Sequence, residues 1–443
     1  MTDSFSIQRV QSIGALRGIP VSTTRSVYLL SYYGDNNGGA GYFNPAVDAS
    51  PGTYVDDGGI TIVPTGGDGS SAWIREIDRY VTVKHFGAKG DGVADDATSL
   101  IAALNYLQAS GGALDFLSGR YKHSSRLLFT SPTLKSWSII ANGATLIATS
   151  DITTSQVKIT GGSVPFLGSF SGFVFDLSNN TTLQDGLVIE ATYNLRVNDN
   201  VFITQNSQPF KNNFGCITIR TPVYWNIIER NTFRPYSAGN PHACVRIEGA
   251  CNAIIINKNN FQTGSYGIKQ VSAGGSNSVI VDANWFEGAG VAISIDGYAG
   301  DYWPSGWGIT KNRVESVTTF FEMAQIGVGV VNNPSRPPVL SENYLISGSV
   351  TNHIIKPSGA FVINNDSEFF GAQSDMLTLN HGNIESRSGG NMVVGNLSGG
   401  QSYADGHLVV GTYHFWIDSA GKFRIKASAP ASDTDGTVVG TQA

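Results

Sequence analysis

The sequence predicts an all-β chain whose centre is a parallel β-helix, and three observations carry that expectation. First, the pattern apolar–x–x–Asn–x–apolar recurs at Val197–Asn200–Phe202, Ile228–Asn231–Phe233, Ile256–Asn259–Phe261 and Val281–Asn284–Phe286, with looser copies at Ile309–Asn312–Val314 and Leu340–Asn343–Leu345. Second, its asparagines are 31, 28, 25, 28 and 31 residues apart. That period belongs to stacked units that cannot bury their apolar faces alone. Third, each repeat holds a second β run upstream of its Asn: Gly186–Glu190, Cys216–Arg220, Cys244–Glu248, Val291–Asp296 and Phe320–Met323. Short alternating runs with no room for a helix between them describe one turn of a parallel β-helix. A ladder Asn can bond its counterpart one coil above and below, and its backbone suits a tight bend.

Composition agrees with turn-dense β structure: Gly is 53 of 443 residues and charged residues are 14%. The length suits two to three domains or one solenoid with appendages. The net charge of −6 and the lack of a basic stripe exclude a nucleic-acid partner. Neither a signal peptide nor an apolar run of about 18 residues is present, so no membrane insertion is expected. Cys216 and Cys244 hold the same place in successive repeats, and with Cys251 they are expected to be buried thiols. No Cys/His spacing is of the metal-site type, and no cofactor is implied.

Residues 1–80 form a separate β-rich module. A short helix is expected within Val10–Arg17, and strands at Val27–Tyr33, Ile60–Val63 and Trp73–Arg75. Residues 81–375 form the β-helix, with a helix over 98–108 and the Asn ladder over 200–343. The first coils are expected at Leu127–Phe129, Trp137–Ile140, Ala144–Ala148 and Phe173–Leu177. Residues 376–443 change character, with short strands at Leu377–Leu379, Met392–Val394, Leu408–Val410, Tyr413–Ile417 and Lys422–Lys426. Asp418–Gly421 joins the last two as a hairpin turn.

The run Val83-Lys-His-Phe-Gly-Ala-Lys-Gly-Asp-Gly92, with Asp95-Asp96, Leu100–Asn105, Gly111-Gly112 and Gly119-Arg-Tyr121, resembles the opening of the pectate-lyase-like β-helix proteins that include bacteriophage tailspikes and capsule depolymerases. Ser118 departs from it, standing where that family usually has proline. Gly87, Gly90 and Gly92 permit a tight loop, Asp95 or Asp96 can cap the helix, and the helix would close the open end of the solenoid. The ending Ser432–Gln442 is similar to the terminal segment of many tail fibres and tailspikes. The resemblance implies a right-handed, single-stranded parallel β-helix with a C-terminal trimerisation region. It also implies a homotrimer carried on a virion, attached to the phage tail through the N-terminal module, with a bacterial surface polysaccharide as partner.

Chemistry is expected on the outer side of the upstream strands, where Glu190, Arg220, Arg246, Glu248, Lys269, Asp296 and Glu322 alternate with inward aliphatic residues. A solvated face of cross-strand ion pairs is the plain alternative. Two insertions favour a site: Arg234–His242, and Gly297–Trp307 with its aromatic cluster. Glu248 and Asp296, two coils apart, suit the roughly 6.5–9.5 Å of an inverting glycosidase, and Asp296 with Glu322 the shorter retaining separation. Asp301 stands in reserve. Arg246, Lys269, Trp303, Trp307 and Tyr298 are expected to bind sugar, and the alternative for the two tryptophans is packing against a neighbouring subunit. A lyase would instead use His242 or Tyr236 as base beside Arg246 or Lys269, on an acidic sugar. An endo-hydrolase is the leading expectation, ahead of a lyase and of an adhesin without turnover.

Overall fold

A computed structural model describes residues 7–21, 25–48, 50–132, 134–161, 167–178, 183–203, 214–234, 243–249, 251–271, 276–298, 306–326, 339–346, 350–356, 362–363, 378–379, 408–410, 413–428, 430–432 and 434–440. Backbone alone is described at 263, 296–298, 323–326, 351–356, 362–363, 378–379 and 408–410. The expected strand Met392–Val394 lies outside these residues.

From Val81 the chain winds as a parallel solenoid with three sheet faces. The first face carries Ser155–Thr160, Asp185–Tyr193, Gly215–Tyr224, Ala243–Glu248, the second halves of Asn260–Val271 and Trp285–Tyr298, and then Val317–Ile326. The second carries Leu195–Asn198, Ile227–Glu229, Ile255–Asn257, Ile280–Asp282, Gly308–Thr310 and Val339–Ser341. The third carries Val201–Ile203, Thr232–Arg234, the first halves of Asn260–Val271 and Trp285–Tyr298, Arg313–Glu315 and Tyr344–Leu345. Because strand side chains alternate, each face sends one column inward. Leu187, Ile217, Val245, Ile268, Ile293 and Phe321 make one such column, all buried. Phe175, Phe202, Phe233, Phe261 and Phe286 make another, with successive ring centroids 4.5, 5.1, 4.9 and 4.6 Å apart and planes within 15°. Each ring finds its apolar surroundings on the coils above and below, which is why a lone coil could not fold.

The Asn ladder stands at the bend between the second and third faces. Asn200, Asn231, Asn259, Asn284, Asn312 and Asn343 are all buried. From Asn200 to Asn312, each Nδ2 donates to the Oδ1 of the next asparagine at 2.9–3.1 Å. The same Oδ1 also accepts the backbone N–H of the preceding ladder residue. The left-handed backbone of the bend belongs to the residue before each Asn, not to the Asn: Asp199, Arg230, Lys258, Ala283, Lys311 and Glu342 have φ of 52–58°. The side-chain amide therefore satisfies an N–H that the bend turns away from the strand ladder.

The helix Ala97–Ser110 closes the first coil. Its Leu100, Ala103, Leu104 and Leu107 join one core with Leu114, Phe116, Leu127 and Phe129. The two aspartates divide the work of starting it. Asp95 Oδ1 accepts the Ala97 N–H at 3.0 Å, while Asp96 turns back to the N–H groups of Lys89 and Gly90 and pins the glycine loop. Gly87 needs its freedom, since at φ 89° a Cβ would stand 2.5 Å from the Tyr32 ring.

The N-terminal module is a five-stranded sheet in the order Gln8–Val10, Val27–Leu29, Gly41–Val47, Ser71–Arg75, Thr61–Ile62, packed around Phe43, Trp73, Leu16 and Val27. Its helix is Ile13–Arg17, shorter than expected because Gln8–Val10 is a strand. The central strand Gly41–Val47 is hidden in the sequence by Gly41, Asn44 and Pro45. Tyr33 donates its hydroxyl proton to the Gly87 carbonyl at 2.9 Å, tying the module to the solenoid. Residues 383–443 form a separate compact unit. There Leu408–Val410, Tyr413–Ile417, Phe423–Lys426 and Thr437–Val438 make an antiparallel sheet. Asp418 turns the hairpin, accepting the N–H groups of Ala420 and Lys422.

Candidate active site

The outer side of the first face carries two columns, largely polar, two residues apart. One runs Lys158, Val188, Thr218, Arg246, Lys269, Ser294, Glu322. The other runs Thr160, Glu190, Arg220, Glu248, Val271. Between them lies a connected charge cluster. Arg220 donates from Nε to Glu248 at 2.8 Å and from its terminal nitrogen to Asp185 at 2.8 Å. Arg246 reaches the other oxygen of Glu248 at 3.0 Å, and Lys158 pairs with Glu190 at 2.7 Å.

Glu248 and Arg246 are thus brought together, with a quarter of the Glu248 side chain open to solvent. Lys269 follows Arg246 on the next coil, its ammonium 3.9 Å from the centre of the Tyr266 ring. Glu322 lies opposite Ser294, which donates to it at 3.3 Å. Asp296 pairs with Ala324 instead. Asp296 and Glu322 are therefore diagonal neighbours rather than directly stacked, because the strand Val317–Ile326 enters two residues out of the register that the repeat spacing suggested. The backbone of Asp296 and Tyr298 is strand; their side chains lie outside the described residues, as do Tyr236, His242, Asp301 and Trp303 altogether.

Trp307 corrects an expectation. It is fully buried, and its indole N–H donates to the Ser276 carbonyl at 3.3 Å. It ends the aromatic loop, and the strand Gly308–Thr310 that follows takes it into the core, so neither face of its ring is open to a sugar.

Asp185 is the residue that sequence reasoning missed, because Asp-Gly before a strand reads as a turn. Its carboxyl is almost fully buried and accepts from the Thr218 hydroxyl and from Arg220. Burial pushes its pKa above the usual carboxylate value, opposed by the Thr218 hydrogen bond and the Arg220 charge. The space comes from Gly215, opposite Asp185 on the next coil, where a Cβ would stand 2.3 Å from the Thr218 hydroxyl oxygen. Asp185 thus anchors Arg220 from beneath, and Arg220 holds Glu248.

Residues 9–78 match the family described as phage tail protein small four-stranded beta-sheet domain, and residues 372–441 match the capsule depolymerase family. Among solved structures, the tailspike protein of Acinetobacter baumannii bacteriophage Fri1, a capsular polysaccharide depolymerase, is 11% identical over 82% of this chain and 70% of its own, with a TM-score of 0.55. The enzymatically active domain of bacteriophage CBA120 tailspike protein 2 is 14% identical over 95% of this chain and 68% of its own, with a TM-score of 0.48. At such identities the likeness is one of fold. A phage tail sheet domain leading into a parallel solenoid, with a capsule depolymerase match toward the C-terminal end, fits a phage tailspike.

Proposed function

We propose that this tailspike cuts a bacterial surface polysaccharide within its chain by hydrolysis, with Glu248 and Asp296 as the carboxyl pair. The observation that carries the reading is the register. Glu248 lies opposite Val271, and continuing the register one residue beyond Gln270–Ile295 would set Val271 opposite Asp296. Two strand spacings separate the two backbones by about 10 Å, which side chains can narrow to the roughly 6.5–9.5 Å of an inverting enzyme. Glu248, between two guanidinium groups, is the base that takes a proton from water. Asp296 is the acid that protonates the departing glycosidic oxygen. Arg246 and Lys269 line the path between them and bind sugar, joined by Tyr298 at the end of the strand Trp285–Tyr298 and by Trp303, His242 and Tyr236; Glu322 and Asp301 are the reserve carboxyls. The spike works as a homotrimer, its N-terminal module on the tail.

Reducing-end release from purified capsule tests this reading. Glu248→Gln and Asp296→Asn are each expected to lower it at least about a hundredfold while the melting curve and glycan binding persist. Turnover at the parental rate in both variants sinks the carboxyl pair, and the absence of release by the parental trimer leaves an adhesin. A second reading has its own support in Lys269, seated over Tyr266 and next to Arg246: a cation to neutralise a uronic acid beside a phenol that could take its C5 proton. A 4,5-unsaturated sugar at the new chain end, read by ultraviolet absorbance, would mark that lyase instead.

A further inference from the structure

The second face of the solenoid carries a groove that the carboxylate–arginine cluster does not use. Its floor is the outward column Ala113, Ser138, Ser169, Arg196 and Ile227 on successive coils. Small side chains over the first three coils leave a trough, and the groove holds about 560 Å³, within the usual range for ligand sites. One rim is the corner column Leu167, Asn194 and Trp225. Along that corner the backbone is left-handed at Asn194, Trp225, Ala253, Ser278 and Gly306, with φ of 51–68°. Asn, Ala, Ser and Gly are ordinary choices there, whereas a large aromatic residue is not. Trp225 nevertheless holds the position and leaves 55% of its surface exposed. Behind it Tyr193 and Tyr224 stack at 4.9 Å, each 6.4 Å from the Trp225 ring. One coil from Trp225, Arg196 lies half-exposed, its Nε 3.4 Å from Glu229.

We infer that this groove is a second polysaccharide-binding site, which holds the polymer on a face other than the one that cuts it. The chemistry is that of a sugar rather than of a protein surface. A pyranose has an apolar face that an exposed indole can cover and a rim of hydroxyls that serine hydroxyls and a guanidinium can bind. Beside the exposed indole and the aliphatic lining, the floor carries the Ser138 and Ser169 hydroxyls and the Arg196 guanidinium, the pairing of apolar surface with polar groups that a sugar ring needs. The inference rests on the depolymerase reading for its ligand. It adds that one polymer chain is engaged at two points, which raises its local concentration at the cutting face.

Affinity electrophoresis of the full-length protein in gels containing the capsule that the parental spike clears tests the site, in a Glu248→Gln background so that the polymer survives. Trp225→Ala is expected to weaken retention at least about tenfold, the scale of a lost stacking platform. Ser169→Arg, which fills the floor without touching the strained corner, is expected to do the same. Trp285→Ala removes an exposed indole on the third face and is expected to leave retention alone. Retention equal to the parent in both groove variants overturns the proposal, and so does a change of oligomeric mass in Trp225→Ala, which would make the groove a subunit contact. Cleavage by the parental spike together with retention that does not depend on Trp225 would remove the groove and leave the cutting face. Retention that depends on Trp225 without cleavage would remove the cutting face and leave the groove.

Discussion

At the scale of single residues, the two features that matter differ in how they are written into the chain. The ladder asparagines were legible because one residue type returns at one place in every coil, so the pattern survives the varying loop lengths. Asn259→Ala would strip a partner from the Asn231 backbone N–H, from its side-chain amide and from Asn284. The expected loss is roughly 1–3 kcal/mol, read as a lower midpoint in denaturant with an unchanged slope. Asp185 was not legible, since its partners Thr218 and Arg220 are more than thirty residues away and only the register unites them. Arg220→Gln would leave that buried carboxylate without its countercharge and is expected to cost about 3–5 kcal/mol. Adding Asp185→Asn should recover much of it. Additive losses in the double-mutant cycle would show that the two side chains are not coupled.

At the scale of elements, the fold could be read because alternation decides which side of a strand is buried. Its limits appear where an insertion lies between the ladder and the strand above it. Counting back from the ladder aligned Glu190, Arg220 and Glu248 correctly, but Glu322 fell beside Ser294 rather than Asp296; such counting cannot see that shift. Trp307 shows the same limit at a loop's end, where one residue decides between surface and core. The closing helix was legible from its period and its aspartates, and its role carries a prediction. Leu100→Ala empties a fully buried site between the helix and the first coils and is expected to destabilise by about 2–5 kcal/mol. Hydrogen exchange should then quicken first in the strands Leu127–Thr130 and Trp137–Ala148, not in the distant ladder coils; uniform acceleration throughout would mean that the helix is no separate lid.

At the scale of the whole molecule, acid should weaken the solenoid through a buried histidine. His123 is fully buried, its Nδ1 at 2.8 Å from the Ser125 carbonyl and its Nε2 at 3.2 Å from Gln156. Burial lowers its pKa to about 4 from the ordinary 6.5. The unfolded chain therefore binds the extra proton first, so this contribution is whole above pH 6.5 and drains away as the pH falls toward 4, by about 3 kcal/mol in all. The melting temperature should fall across that window, and His123→Gln should flatten the slope; an unchanged slope would assign the loss to other groups. The nearest-neighbour coils have a mechanical consequence too. A pull along the axis loads one coil boundary at a time, because no strand spans more than its two neighbours. Each ladder coil freed would release 25 to 31 residues, or roughly 80–110 Å of chain. A spike dragged across a cell surface would then yield in discrete lengths from whichever end bears the load, keeping the remaining coils and their sites in working order.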